Sequence, residues 1–198
     1  MVLLNRIYTR SGDGGQTRLA TGESISKADP RIAGLGDVDE LNAHLGQARL
    51  AVSDELGEML GRIQNELFDL GADLATPERE GGRNKRAGAQ ALRITAGQVG
   101  RLEKEIDALN AGLAPLTSFV LPAGGKASVA LHLARTVCRR AERAVVAFAQ
   151  GGEGGEEGAV HGEALRYLNR LSDFLFVAAR VAAAKEGGDV LWVPGATR

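Results

Sequence analysis

The strongest constraint on this chain is a recurring apolar spacing of three and four residues, interrupted by proline and glycine. In "ELGEMLGRIQNELFDLGADLAT", Leu56, Leu60, Ile63, Leu67, Leu70 and Leu74 fall on one side of a 3.6-residue helix, and Pro77 stops it. The same period recurs in "GDVDELNAHLGQARLAV" (Val38, Leu41, Leu45, Ala48, Val52), predicting a helix over roughly 37 to 53 with Asp37 as N-cap or first-turn acid. It returns in "TAGQVGRLEKEIDALNAGL" (Val99, Leu102, Ile106, Leu109), where Thr95 can cap and the end falls before Pro115. A long helix from about 126 to 149 opens after the broken run "SFVLPAGGKAS", and "EALRYLNRLSDFLFVAARVAAAKEG" supplies the fifth.

Five helices with little strand signal predict an all-α, five-helix up-and-down bundle. A chain of 198 residues suffices for one well-cored domain, so 1–198 is read as a single unit. The stretch "PEREGGRNKRAGAQALR" is polar and aperiodic and reads as an exposed loop; "GGEGGEEG" reads as a solvated linker.

Composition narrows the function. The 24 Lys and Arg nearly balance the 25 Asp and Glu, so a net charge of −1 offers no broad attraction for nucleic acid or an anionic membrane. An anion site must therefore be local. The apolar run "FLFVAARVAAA" is cut by Arg180 and falls short of the roughly 20 residues of a membrane span, so it reads as a buried helix. The single cysteine, Cys138, forms no internal disulfide and fits a reducing compartment, with the cytoplasm as the expected location. His44, His132 and His161 give no metal-ligand cluster, and no Glu-x-x-His pair of a di-iron bundle occurs.

Three regions carry candidate chemistry. "YTRSGDGGQT" fails the Walker pattern, because Gln16 follows Gly15 and no lysine follows the glycines. Its glycines still let successive backbone N–H groups approach an anion, with Thr9, Ser11 and Thr17 as further donors, so a phosphate cradle and a plain glycine turn both remain open. In the fourth helix Arg135, Arg139 and Glu142 share a face, with Arg140 and Arg143 on adjoining ones. Two arginines four residues apart repel unless an anion or solvent compensates them, and the helix around them is strongly apolar. In the fifth helix Asn169, Ser172 and Asp173, with Phe176 on the same face at i+7, give a polar strip on an apolar background, a candidate pocket wall or a set of satisfied bundle polars. Asp37, Asp39 and Glu40 crowd the predicted first turn of helix one, where the dipole favours acids without any function. Lys27 and Arg31 flank "ADPR", which reads as a turn presenting a basic pair.

Taken together, "IYTRSGDGGQT", "KADPRI" leading to "GDVDELNAHLG", "FVLPAGG", "ALHLARTVCRRAERAVV" and "YLNRLSDFLFVAAR" resemble, in order, the PduO-type ATP:cob(I)alamin adenosyltransferases. The resemblance spans most of the chain from Ile7 to Arg180. It departs at Gly14, where lysine is frequent, and at Ala123, where glycine is expected.

The resemblance implies a homotrimer with active sites between subunits, binding ATP and then cob(I)alamin. Thr9, Ser11, Gly12, Asp13, Gly14, Gly15, Thr17 and Lys27 would surround the triphosphate with Mg2+. Arg139, Glu142 and Asn169, with Arg140 and Arg143 nearby, would complete the nucleotide site. Asp39 of one chain would pair with Arg135 of the next, and Phe119 would lie against the corrin and keep the lower axial base away. The implied product is adenosylcobalamin, with triphosphate leaving. A cobalamin reductase and an adenosylcobalamin-dependent enzyme are the implied protein partners. A non-catalytic module that holds ATP or adenosylcobalamin is the alternative.

Overall fold

Periodicity of three and four folds into five long helices in the computed structural model, which describes residues 7–77, 91–151 and 160–198. They are α1 (Pro30–Arg49), α2 (Asp54–Leu74), α3 (Ala96–Asn110), α4 (Lys126–Ala149) and α5 (Gly162–Ala184). Most of the expected polar loop and of the glycine–glutamate linker lies outside the described residues, as does the opening 1–6.

The second helix buries the whole predicted stripe: Leu60, Ile63, Leu67, Leu70 and Leu74 are essentially inaccessible. Each such side chain contributes about 1.5–3 kcal/mol relative to exposure. They meet Leu41 and Leu45 of α1, Leu102 of α3, Leu131 and Val145 of α4, and Phe174 and Leu175 of α5 in one core cluster. A cavity cut into that cluster, as by Leu67→Ala, costs about 2–5 kcal/mol.

Neighbours in space are not always neighbours in sequence. α1 packs on α2 and α4, and α5 packs on α4 and α3. A strictly sequential bundle would set α3 beside α4. The long connections before and after α3 let it cross to α5 instead.

α1 departs from expectation at its start. It begins at Pro30, seven residues before Asp37, because Asp29 caps it: its carboxylate accepts from the Arg31 N–H at 2.8 Å, and Pro30 occupies the first turn. Asp37, Asp39 and Glu40 therefore lie inside the helix, beyond the first turn where its dipole is felt. Arg31 is likewise not half of a presented basic pair. It is 7% exposed, donates to the Leu74 carbonyl at 2.7 Å and lies over the Phe148 ring. At α3 the expected cap is present, with Thr95 and Gln98 forming a reciprocal capping box.

Between the N-terminal loop and α1 stands a small antiparallel hairpin, β1 (Gln16–Arg18) and β2 (Ser24–Ser26), with Thr17 opposite Ile25. Leu19 is buried beneath it, and Ala20 N–H donates to the Ala75 carbonyl at the end of α2. Before α4, Gly124 has φ +86°, and a Cβ there would meet the Ala183 Cβ at 2.9 Å. Only glycine suits both the left-handed backbone and the close approach of α5.

Candidate active site

The N-terminal loop is wound by two consecutive turns, Asp13 N–H to the Arg10 carbonyl at 3.3 Å and Gly15 N–H to the Gly12 carbonyl at 3.2 Å. Gly15 adopts φ +77°, and Arg10 holds a left-handed φ of +62°, a conformation that costs a non-glycine residue energy. Thr9 and Ser11 hydroxyls lie 2.7 Å apart. The hairpin then returns the chain onto this loop. Lys27 N–H donates to the Gly15 carbonyl at 2.8 Å, and its Nζ lies 2.9 Å from where a Gly12 Cβ would stand. Gly14 faces open space. Glycine amides, hydroxyls and one ammonium thus share a single exposed patch, a composition suited to an anion.

α4 and α5 build a second patch. Arg135 is half-buried, its guanidinium carbon 5.9 Å from the Phe176 ring centre and its Nε buried without a partner. Burial, with the like charge of Arg139 one turn on, pushes Arg135 below its ordinary value. Arg139 is exposed, and its carbonyl accepts from Arg143 Nη1 at 3.0 Å. Glu142 accepts from Asn169 Nδ2 at 3.0 Å, which fixes the amide orientation on α5. Asp173 is exposed and paired with Arg170, on the strip's solvent edge.

Arg140 turns the other way. Its Nε donates to Asp37 at 3.0 Å and its Nη2 meets Glu40, locking α4 to α1. Asp39, exposed beside them, forms no ion pair among the described residues. Neither Arg135 nor Arg139 finds a carboxylate there.

A single chain does not join the two patches: no hydrogen bond or ion pair links Thr9 to Gly15, Thr17 or Lys27 with α4 or α5 among the described residues.

Phe119 is 77% exposed, a conspicuous position for an aromatic ring. It leans on Trp192, ring centres 6.0 Å apart and planes tilted by 54°. Beneath the rings, Trp192 N–H donates to the Phe119 carbonyl at 2.7 Å and Leu121 N–H to the Val190 carbonyl at 2.8 Å. Ser118 Oγ adds a bond to the Trp192 carbonyl at 2.6 Å. Pairing of the C-terminal segment with the segment before α4 has no helical or strand period to announce it, so Trp192 acquires a place only in three dimensions.

Phe176 of the α5 strip and His132 of α4 meet beside Arg135. Phe176 is flanked by Arg135 and by His132, whose ring meets it edge-on at 6.2 Å. His132 is 1% exposed with neither ring nitrogen bonded, and burial followed by the Arg135 charge lowers its pKa. Cys138 is no nucleophile: its thiol donates to the Leu168 carbonyl at 3.4 Å, and burial pushes its pKa far up. Among the described residues no group of three His, Cys, Asp or Glu side chains could hold a metal, and no helix is long and apolar enough to cross a membrane.

The chain is similar over most of its length to proteins of one kind. The profile of a family described as Cobalamin adenosyltransferase matches residues 7–182. The Corrinoid adenosyltransferase of Mycobacterium tuberculosis (strain ATCC 25618 / H37Rv) is 46% identical over 200 residues, covering 100% of this chain and 97% of the relative. Corrinoid adenosyltransferase MMAB of Homo sapiens is 42% identical, over 92% of this chain and 70% of its own. Among solved structures, a phenylalanine-to-alanine variant of the PduO-type ATP:corrinoid adenosyltransferase from Lactobacillus reuteri, complexed with cobalamin and ATP, superposes with a TM-score of 0.82. It is 37% identical, covering 94% of this chain and 99% of that one. An arginine-to-lysine variant of the same enzyme, complexed with ATP, gives 0.81 at 36% identity, covering 94% of this chain and 100% of that one.

Proposed function

The chain belongs to the cobalamin adenosyltransferase family, and on that premise we propose that it transfers the 5′-deoxyadenosyl group of ATP to the cobalt of cob(I)alamin. Adenosylcobalamin and triphosphate are the products. Co(I) attacks the 5′ carbon, the carbon–oxygen bond to the triphosphate breaks, and the leaving group departs whole. Such a reaction needs no side-chain nucleophile and no histidine base. It needs alignment of the reacting atoms and stabilisation of a polyanion.

The observation that carries this reading is the uncompensated charge of Arg135 and Arg139 beside the Asn169–Glu142 pair. Half-buried Arg135 and exposed Arg139 one turn on, neither paired with a carboxylate among the described residues, call for an external anion. Arg139 and Asn169 bind the nucleotide, with Glu142 holding the amide, and Arg143 stands one turn beyond Arg139. Arg140, engaged by Asp37 and Glu40, contributes by fixing the rotation of α4. Lys27 with the loop Thr9, Ser11, Gly12, Asp13, Gly14 and Gly15, and Thr17 behind it, takes the triphosphate. A Mg2+ ion carried by ATP would neutralise part of the leaving group's charge beside these donors.

The separation of the glycine loop from the arginine face within one chain supports a homotrimer in which neighbouring copies complete each site. Asp39 of one copy then meets Arg135 of the next. The whole chain acts as one domain, in the cytoplasm. Phe119 borders the corrin and occupies the side from which an axial base would approach. Removing axial ligands makes Co(II) easier to reduce, so an apolar ring there favours formation of Co(I) by an external reductase. An adenosylcobalamin-dependent enzyme consumes the product.

An anaerobic assay with cob(I)alamin and MgATP tests the reading: the absorbance change of Co–C bond formation should appear with stoichiometric triphosphate. ADP and orthophosphate without alkylation would sink it. Unchanged ATP alongside tight ATP binding would instead establish a holding module. Phe119→Ala should impair the path from Co(II) while sparing preformed Co(I), and equal losses from both would contradict its role. A monomer by light scattering would contradict the Asp39–Arg135 pairing.

A further inference from the structure

We infer that Arg180 is a positioning residue that holds the Phe119–Trp192 aromatic edge in place, an inference that rests on reading Phe119 as the corrin-facing side chain. α5 is the most apolar helix of the bundle, yet Arg180 sits in it at 5% exposure. A buried guanidinium persists only when its donors are met. Arg180 meets them with two different stretches of chain: Nε donates to Asp189 Oδ2 at 2.8 Å, and Nη2 to the Ala114 carbonyl at 2.7 Å.

Those two acceptors stand at the roots of the aromatic edge. Ala114 precedes Phe119 by five residues, and Asp189 precedes Trp192 by three. Beyond Arg180 the two stretches are zipped by the Trp192–Phe119 and Leu121–Val190 backbone bonds, the Val120–Leu191 bridge and the Ser118 hydroxyl.

The zipper is short, and its apolar side chains face outward: Phe119, Trp192 and Val193 are all exposed. Burial therefore supplies little of the energy that holds it, and an isolated two-stranded pairing is marginal in water. A charge-assisted fork from the rigid helix below is what fixes both strands at once. Arg180 acts on the edge through Asp189 and the Ala114 carbonyl.

Trp192 is the sole tryptophan, so its emission reports the edge directly. The experiment uses the full-length protein as wild type, Asp189→Asn and Arg180→Lys, reading Trp192 emission, acrylamide quenching, far-UV circular dichroism and separate KM values for ATP and cob(I)alamin. Asp189→Asn leaves Arg180 bonded to Ala114 and the bundle intact. It should raise the undocked population of the segment about tenfold, the weight of one lost charge-assisted bond.

Emission then shifts red, quenching rises, and the corrinoid KM increases while the ATP KM and helical signal stay as in wild type. Arg180→Lys, keeping the charge without the fork, should fall between the two. Trp192 as well protected in Asp189→Asn as in wild type would overturn the inference. So would a released Trp192 with unchanged corrinoid kinetics. A wild type that alkylates no corrinoid overturns the proposed function instead, and the quenching comparison still decides whether Arg180 holds the edge.

Discussion

Between α2, α3 and α5, charges come in closed sets. Glu66 accepts from the Tyr167 hydroxyl at 2.8 Å and from Arg101, while Arg62 bridges to Glu105. Nearby, Asp73 takes Arg93 at 2.5 Å and the Ile94 N–H at 2.8 Å. On the α4 face, Arg135 and Arg139 stand together with no paired carboxylate among the described residues, and Asp39 is exposed with no cation paired to it there. Both regions place ionisable groups against an apolar bundle. In the first they finish the fold. In the second they are left open, which is affordable only where a ligand or another copy supplies the missing charge.

Breaking the closed set should give the largest effect on stability. Glu66→Ala leaves Tyr167 and Arg101 without their acceptor and should cost about 3–5 kcal/mol in denaturant unfolding. Activity of the folded fraction should be unchanged. A loss of turnover at full folding would blur the distinction between the regions.

Breaking the open set should do the reverse. Arg139→Ala should lower kcat/KM roughly 10²–10³-fold, as removal of a donor to a developing anion does elsewhere. Its unfolding midpoint should hold or rise, since a like charge near Arg135 is gone. A stable variant with normal ATP use would remove Arg139 from the site.

A smaller effect comes from His132, buried on α4 against Phe176 and near Arg135. Its folded pKa lies below the ordinary 6.5, so the unfolded state binds the extra proton first. Stability should therefore fall as pH drops through about 6.5 and keep falling until the folded ring is protonated. His132→Leu should flatten that acid limb of the melting temperature. An unchanged limb would mean that other groups set it.

The smallest effect belongs to Arg170, whose contacts with Glu103 and Asp173 are solvent-exposed. Arg170→Ala should change stability by about 0.2–1 kcal/mol and vanish into salt screening. A larger loss would show that exposed pairs here behave like the closed set.

Legibility in the sequence followed the same division. Helices α2 to α5 were readable because leucine and valine spacing is a local signal, and the Thr95 cap needs only four residues. The start of α1 was less so. "ADPR" reads locally as a turn as readily as a capped helix start; the Asp29 cap with Pro30 behind it and the burial of Arg31 against Leu74 and Phe148 together carry the helix from Pro30. Arg135, Arg139, Glu142 and Asn169 could be named as candidates, since their spacing lies within single helices. That Asn169 bonds Glu142, or that Arg140 serves α1, involves residues far apart in the chain.

What the sequence determined by itself is the helical class, the places where helices break, and the kinship carried by five ordered motifs. Periodicity and capping act over a few residues, so they survive without any knowledge of neighbours. Which arginines are spent on the fold and which stay free was decided by tertiary structure alone. So was the fastening of Trp192 to Phe119 over a buried Arg180. A charge is compensated by whatever lies within a few ångströms in space, and the spacing of residues along the chain does not record that distance.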